Sequence, residues 1–384
     1  MTSPAIRSVV IPVAAGVGNA IMAEPMVRQL ATALGPEARI TIVARTNAIG
    51  EPLRRTVGVT DVRITGDGAK GFANYVRFAR QAKPDLYLIP FPSNRWQYNF
   101  LSTLSGARRV LIHEYPVGYW RALHFLPAER VHAEPGHHDV WQNLNLLKPL
   151  GIEPDYAMNP RFELNDVDHD AAADLLHAAG ADPDRPFVAI HAGSGKTVFG
   201  EAKRWPVEKY AELIDVLAVR TGRNFVIVEG PDEAGIAAVV LRHVKTSGAN
   251  GRIVAVPLRG NLGVGGAVLA RASIYVGSDS ALAHLAAAVG TRAVTVFGPI
   301  DPRTVHPCGN ADLVVALNKH CAPCFTYPFK TPYPSVRCSP PWCIAEVAVA
   351  SVATTVERGL SGRTGGGASC DADCTPGAGA CQAT

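Results

Sequence analysis

The segment Gly277-Ser278-Asp279-Ser280-Ala281-Leu282-Ala283-His284 joins a glycine turn, a pair of helix-capping residues and a histidine one turn further on. With Asp279 or Ser280 as the cap of a helix over Ala281–Val289, the first amides stay free, and free amides at a helix start hold phosphate. His284 returns to the same face after one turn. Histidine on an apolar helix is more often a core residue, but here a capped turn precedes it and the loop Gly298-Pro299-Ile300-Asp301-Pro302 follows the next strand.

Three looser segments carry compatible chemistry. His191-Ala192-Gly193-Ser194-Gly195 follows a strand, and Lys203-Arg204-Trp205-Pro206 precedes a helix. Small residues let a diphosphate approach the backbone, and a nearby lysine supplies a point charge; the plainer reading is a surface loop anchored by Trp205. Glu229-Gly230-Pro231-Asp232-Glu233 puts acids at a strand end, where they can take ribose hydroxyls or simply complement a helix dipole. Gly16-Val17-Gly18-Asn19 is either a ligand cradle or a tight strand-to-helix turn that needs glycine for positive φ.

Two nucleotide fingerprints are incomplete. Gly195-Lys196-Thr197 ends like a P-loop, yet its first glycine would be Ile190, and the third glycine of a dinucleotide motif beginning at Gly16 would be Ile21. A kinase and a nicotinamide enzyme are set aside.

These segments sit on two runs of alternating strands and helices. Ser8–Val13, Arg39–Ala44, Asp61–Ile64, Asp85–Pro90 and Arg109–Ile112 read as buried parallel strands, with helices over Ala20–Leu34, Ala48–Thr56, Phe72–Ala82 and Asp139–Leu150. The alternation restarts with a helix at Asp168–Ala179 and strands at Phe187–His191, Asn224–Glu229, Arg252–Val256, Ile274–Val276 and Ala293–Phe297. Helices are expected between them over Val207–Thr221, Asp232–Lys245, Gly265–Ala272 and Ser280–Val289. The expected fold class is α/β: a domain over 1–155, a second over 165–358, a proline-bearing connection over Gly151–Leu164, and a disordered Gly/Ala-rich tail over 359–384. Ligands then belong outside the carboxyl ends of the strands, where the two halves face one another.

A chain of 384 residues, 47% hydrophobic and 18% charged, has material for two cores. Its formal charge of +4 suits an anionic substrate, and the absence of a Lys/Arg block or groove-reading motif argues against nucleic acid. No signal-peptide pattern and no 18-residue apolar run occur, so a cytoplasmic protein without a transmembrane segment is expected, peripheral to the inner membrane where its acceptor brings it to the surface.

The four motifs together resemble glycosyltransferase family 9, the ADP-heptose:lipopolysaccharide heptosyltransferases and their relatives. Gly277–Pro302 is the most specific of them, and the likeness spans most of residues 8–360. The resemblance implies a GT-B fold and a nucleotide-diphosphate sugar donor, typically ADP-heptose, in the C-terminal half. It also implies a lipopolysaccharide-core or related glycan or glycolipid acceptor at the membrane surface, inversion at the anomeric carbon, and no metal or cofactor required for catalysis. Carried over by position, Gly18, Ser194, Lys203, Ser280 and Ala281 would hold the donor phosphates, Asp232 or Glu233 would lie by the ribose, and Asp279 and His284 would shape the pocket. Many members carry a catalytic aspartate where this chain has Asn19. The expected base is therefore relocated, with Glu24, His137, His138 and Asp139 as candidates; Glu24 and His138 form the expected catalytic set with Asn19. A natural-product or protein acceptor, a GT-B-shaped epimerase and a non-catalytic sugar-nucleotide sensor are the alternatives.

All eight cysteines follow residue 307, which points to one local device in a reduced compartment rather than a disulfide scaffold. Cys321-x2-Cys324 and Cys338-x4-Cys343, in a Pro- and aromatic-rich loop over 320–343, could form a tetrahedral zinc or iron site. Some autotransporter heptosyltransferases are similar in bearing a four-cysteine iron finger in this region. The expectation is a structural knuckle away from the sugar chemistry.

Overall fold

The computed structural model describes residues 6–13, 16–120, 122–195, 198–245, 252–325, 328–329, 338 and 341–362. Lys196, Thr197 and residues 363–384, with Cys370, Cys374 and Cys381, lie outside the described residues. Of the segment read as a tail, Gly359–Ser361 still belongs to a helix over Val349–Ser361.

The strands of the first half are β1 (Ser8–Val13), β2 (Arg39–Ala44), β3 (Val59–Ile64), β4 (Leu86–Leu88), β5 (Arg109–Glu114) and β6 (Glu129–His132), in the order β3-β2-β1-β4-β5-β6. Those of the second half are β7 (Phe187–His191), β8 (Asn224–Glu229), β9 (Ile253–Pro257), β10 (Ile274–Ser278), β11 (Ala293–Phe297) and β12 (Val314–Ala316), ordered β12-β11-β10-β7-β8-β9. Every pairing is parallel. Renumbered from its own first strand, the second sheet repeats the order of the first. Each therefore has one switch point, between β1 and β4 and between β7 and β10, and the crevice that binds ligands opens there.

The edge strands β6 and β12 and the helix Trp96–Leu104 escape sequence reading for a physical reason. Glu129-Arg130-Val131-His132 and Val314-Val315-Ala316 are too short, or too polar, to make an apolar run. The helix expected over Asp232–Lys245 divides into a short turn, Pro231–Glu233, and a helix, Ile236–His243, because Gly235 takes φ 96° between them.

The halves share side chains. Ile21, from the helix Val17–Leu34, packs into the core of the second half with Leu282, Leu285 and Ala286. Cys308 and Val305 return the contact, packing against the core under β1. Arg55 pairs with Asp168 across the boundary, donating through Nη2 to Oδ1 at 3.1 Å. Arg28 ties the connecting segment to the first helix through the Asn159 carbonyl at 2.9 Å.

Candidate functional site

The loops after β1, β2, β4, β10 and β11 converge on a cavity of about 860 Å³ between the halves. Gly18, Asn19, Arg45, Phe91, Arg95, Tyr98 and Asp139 line it from the first half, and Lys203, Asp279, Ser280, Ala281, His284, Ile300 and Arg303 from the second.

Gly18 explains how closely the halves meet. Gly16 has φ −75° and ψ 175°, an ordinary extended cap, so the turn does not require glycine for positive φ. At Gly18 an added Cβ would stand 3.1 Å from His284 Cδ2. The glycine is needed there because the first helix abuts the helix Ala281–Ala288.

On the opposite wall, Ser280 caps Ala281–Ala288 through its backbone, with no side-chain capping bond, so the first amides are open toward the cavity. The Ser280 hydroxyl lies instead in a buried polar chain. His191 Nδ1 is 3.2 Å from Ser280 Oγ and 3.1 Å from the Tyr275 hydroxyl, and His191 Nε2 donates to Glu233 Oε2 at 2.7 Å. The same Glu233 oxygen accepts from the Gly230 amide at 3.2 Å. Burial tends to raise the Glu233 carboxyl, but its bond to His191 wins and holds it below the usual range. Gly193 is fixed by this chain, since a Cβ would fall 2.2 Å from Glu233 Cδ.

Lys203 reaches the site because Trp205, two residues on, is fully buried. The Trp205 amide donates to Ser278 Oγ at 3.1 Å and its indole to the Val347 carbonyl at 3.2 Å. Lys203 Nζ then pairs with Asp279 Oδ2 at 3.1 Å beside the open amides. A cation and a helix N-terminus on one wall make an anion site.

Asp139 opens the helix Asp139–Asn145 and is 6% exposed. Burial, and then the Asp279 carboxylate across the cavity, push its pKa well above the ordinary 3.8. His284 goes the other way: burial first lowers it to about 4, so it faces the cavity as a neutral imidazole.

Several expected residues are placed elsewhere. Glu24 does not line the cavity; Arg28 Nε donates to it at 2.7 Å and the Arg161 amide at 3.0 Å, so its carboxylate is occupied in holding the connecting segment. His138 is fully buried and off the cavity, its Nδ1 accepting from Val140 and its Nε2 donating to the His306 carbonyl at 2.8 Å. With both ring nitrogens engaged it has no lone pair for an acceptor hydroxyl. His137 stacks on Trp141 at 4.0 Å. Ser194 is buried and donates its hydroxyl to the Gly200 carbonyl, Asp232 is exposed, and neither they nor Glu233 line the cavity.

The cysteine loop is not remote from the cavity. Pro323, Phe325, Pro328 and Phe329 line it, Phe329 packs on Phe91 with centroids 6.0 Å apart, and Asn94 donates to the Pro328 carbonyl at 3.1 Å. The expected distance from the sugar chemistry is thereby corrected. Cys343 is pushed up to about 11 by burial and then by Cys324, Cys338 and Cys321. Those four thiols are neighbours, yet among the described residues no group of three or more His, Cys, Asp or Glu is placed to hold an ion.

His113 is also held at about 4 and His138 well below 6.5, in each case chiefly by burial. The unfolded chain takes up these protons near pH 6.5 and the folded chain does not. The stability they contribute is complete above pH 6.5 and is lost as pH falls toward 4. His113 and His284 then each cost roughly 2–3 kcal/mol at pH 4.5, because every pH unit over which the unfolded chain alone is protonated is worth about 1.4 kcal/mol, and His138 acts in the same direction. Calorimetry should show Tm lower by about 10 °C at pH 4.5 than at pH 7; a Tm independent of pH across that window would contradict their neutrality.

Two Rossmann-type halves facing one another across a cavity are the GT-B fold, and the family match makes its class glycosyltransferase. The chain belongs to glycosyltransferase family 9 (heptosyltransferase), whose family model matches residues 115–332, more than half of its length. It is 26% identical over 244 residues to lipopolysaccharide heptosyltransferase 3 of Escherichia coli, covering 62% of this chain and 67% of that one. The structure of E. coli ADP-heptose LPS heptosyltransferase II superposes with a TM-score of 0.68 at 18% identity, over 92% of this chain and 98% of the other. E. coli heptosyltransferase WaaC, solved with ADP-2-deoxy-2-fluoro heptose, gives 0.62 at 18% identity, over 91% and 99%. Among the described residues no helix is long and apolar enough to cross a membrane.

Proposed function

We propose that the chain transfers a heptose-type sugar, with inversion, from an ADP-sugar to a lipopolysaccharide-core or related glycan. The observation that carries this reading is the Lys203–Asp279 pair beside the open amides of Ser280 and Ala281, facing Asn19 and Asp139 across one cavity. The diphosphate sits on the second-half wall, where lysine and amides absorb the charge that grows on the leaving group. Of the two acids expected at the ribose, Glu233 is committed to His191 and Gly230, which leaves Asp232, at the surface outside the cavity, for a ribose that extends beyond it. Asp139 is the relocated base: it removes the proton from the acceptor hydroxyl as that oxygen attacks the anomeric carbon and the C–O bond to the diphosphate breaks. Its raised pKa makes it a stronger base than an ordinary carboxylate. WaaC bound to its ADP-sugar analogue supports the choice of donor class.

Mass spectrometry of products formed from ADP-, GDP- and UDP-sugars with lipopolysaccharide-core acceptors tests this reading. Transfer from an ADP-sugar is expected. Binding without transfer would assign a sensor, and interconversion without acceptor an epimerase.

A structural zinc or iron gathering Cys321, Cys324, Cys338 and Cys343 belongs to the same proposal, supported by the proximity of the four thiols. Elemental analysis of the purified chain should return about one equivalent, lost in Cys324→Ser. A fully active, metal-free preparation removes the metal.

A further inference from the structure

Among the described residues, four of the large exposed hydrophobic side chains fall within one stretch of thirty residues: Trp96 at 41% exposure, Tyr119 at 51%, Trp120 at 74% and Phe125 at 49%. They form arrays rather than scattered rings. Tyr119 and Trp120 have centroids 5.3 Å apart, and Trp120 and Phe125 5.6 Å. Trp96 packs edge-on against Phe72 and Phe100, each at 5.8 Å.

Side-chain amides hold both arrays together. Asn99, on the helix that begins with Trp96, donates to the Ala122 carbonyl at 2.8 Å, and Asn94 donates to the Val117 carbonyl at 3.1 Å. The aromatic loop is therefore fixed against the helix, and the exposed rings are set in place by the fold.

We propose that this aromatic rim docks the protein on a bilayer containing anionic lipid. Tryptophan and tyrosine, which combine an apolar ring with a polar tip, are the side chains favoured at the headgroup level. Charge selects a lipid surface over a protein partner. From Gly68 to Arg109 the chain carries Lys70, Arg77, Arg80, Lys83, Arg95, Arg108 and Arg109 against Asp85 alone. Arg108 is paired with Asp85 and Arg109 with Glu129. Lys70, Arg77 and Arg80 lie on the helix Gly68–Ala82, whose Phe72 touches Trp96. Their spacing of seven and three residues puts them on one helix face, all three are exposed, and none has an ion-pair partner among the described residues. Aromatic rings that enter the interface, flanked by cations that remain in the headgroups, are the chemistry of reversible membrane binding.

The docking also orients the site. Arg95 and Tyr98, beside Trp96, line the first-half side of the cavity, which would then open close to the lipid surface. This orientation alone rests on the transferase reading above.

Co-sedimentation of the full chain with phosphatidylcholine vesicles, with and without 30 mol% phosphatidylglycerol, tests the proposal. Wild-type protein is expected to bind the anionic vesicles, less so as salt rises, with the tryptophan fluorescence quenched by bromolipids. Trp120→Ser combined with Phe125→Ser should lower the partition coefficient at least tenfold without lowering Tm. Lys70→Glu combined with Arg77→Glu should do so on anionic vesicles only. Equal binding by wild type and variants overturns the proposal. So does a concentration-dependent dimer that Trp120→Ser abolishes, which would assign the rim to a second copy. Calorimetric titration with ADP reads the donor site independently: absent vesicle binding leaves the transferase reading intact, and absent ADP binding leaves the docking surface intact.

Discussion

Asp139→Asn should lower kcat by about a thousandfold while leaving the affinity for ADP within about twofold, since general-base catalysis contributes roughly 10²–10⁴. The carboxamide keeps the shape of the side chain and replaces a buried carboxyl that faces the Asp279 carboxylate. The fold therefore has no reason to weaken. The pH profile separates catalysis from packing. In the wild type kcat/KM falls as pH drops through the raised pKa of Asp139, because the protonated acid has no lone pair to offer. In the variant that acidic limb disappears along with most of the rate. Asn19→Asp should be tolerated in the wild type, and in the Asp139→Asn background it should return part of the rate, because both positions line the same cavity. An Asp139→Asn enzyme with full kcat would end the assignment.

The choice among candidate bases marks the limit of what the sequence carries. Each of the five strands expected in the first half and the five in the second is present; the central ones are legible because a parallel strand buried on both faces must be an apolar run. The switch points follow from that alternation, and spacing alone puts Asp279–His284 at one of them. His138 and Asp139, by contrast, are neighbours, and only the start of a helix separates them. The helix gives His138 to the His306 carbonyl and Asp139 to the cavity. Glu24 has a suitable chemical type on the first helix, but Arg28 and the Arg161 amide claim it, and the second of these contacts is more than a hundred residues away. Ser194 fails as a phosphate ligand for a local reason, its hydroxyl being turned back to Gly200. The wall formed by Phe91 and Phe329 was illegible, since no spacing rule relates a residue after β4 to one in the cysteine loop. Arg45 was within reach of the strand-end rule, as it directly follows β2 and lines the cavity.

Lys203→Ala should weaken ADP binding by about ten- to a hundredfold, the range of one charge-assisted hydrogen bond of about 1.5–3 kcal/mol, and lower kcat by a further factor of about 10². The second loss follows from where charge develops. On the proposed placement the ground-state diphosphate would share the Ser280 and Ala281 amides with Lys203, but the charge released by bond cleavage would appear on the leaving oxygen, where the cation answers it most strongly. The lysine also governs the carboxylates. Its ammonium is 3.1 Å from Asp279, whose side chain is 9% exposed, and Asp279 in turn raises Asp139. Without the lysine, Asp279 faces Asp139 across the cavity with its paired cation removed, which favours the protonated form of Asp139 further. The acidic limb of kcat/KM should therefore move to higher pH, an effect that simple loss of phosphate affinity would not produce. Lys203→Arg keeps the charge and should hold the limb near its wild-type position, even where the longer fork costs affinity. A calorimetric titration and a pH–rate profile on the two variants decide the matter. Unchanged ADP affinity in Lys203→Ala would place the diphosphate elsewhere, and an unmoved limb would uncouple Lys203 from the base.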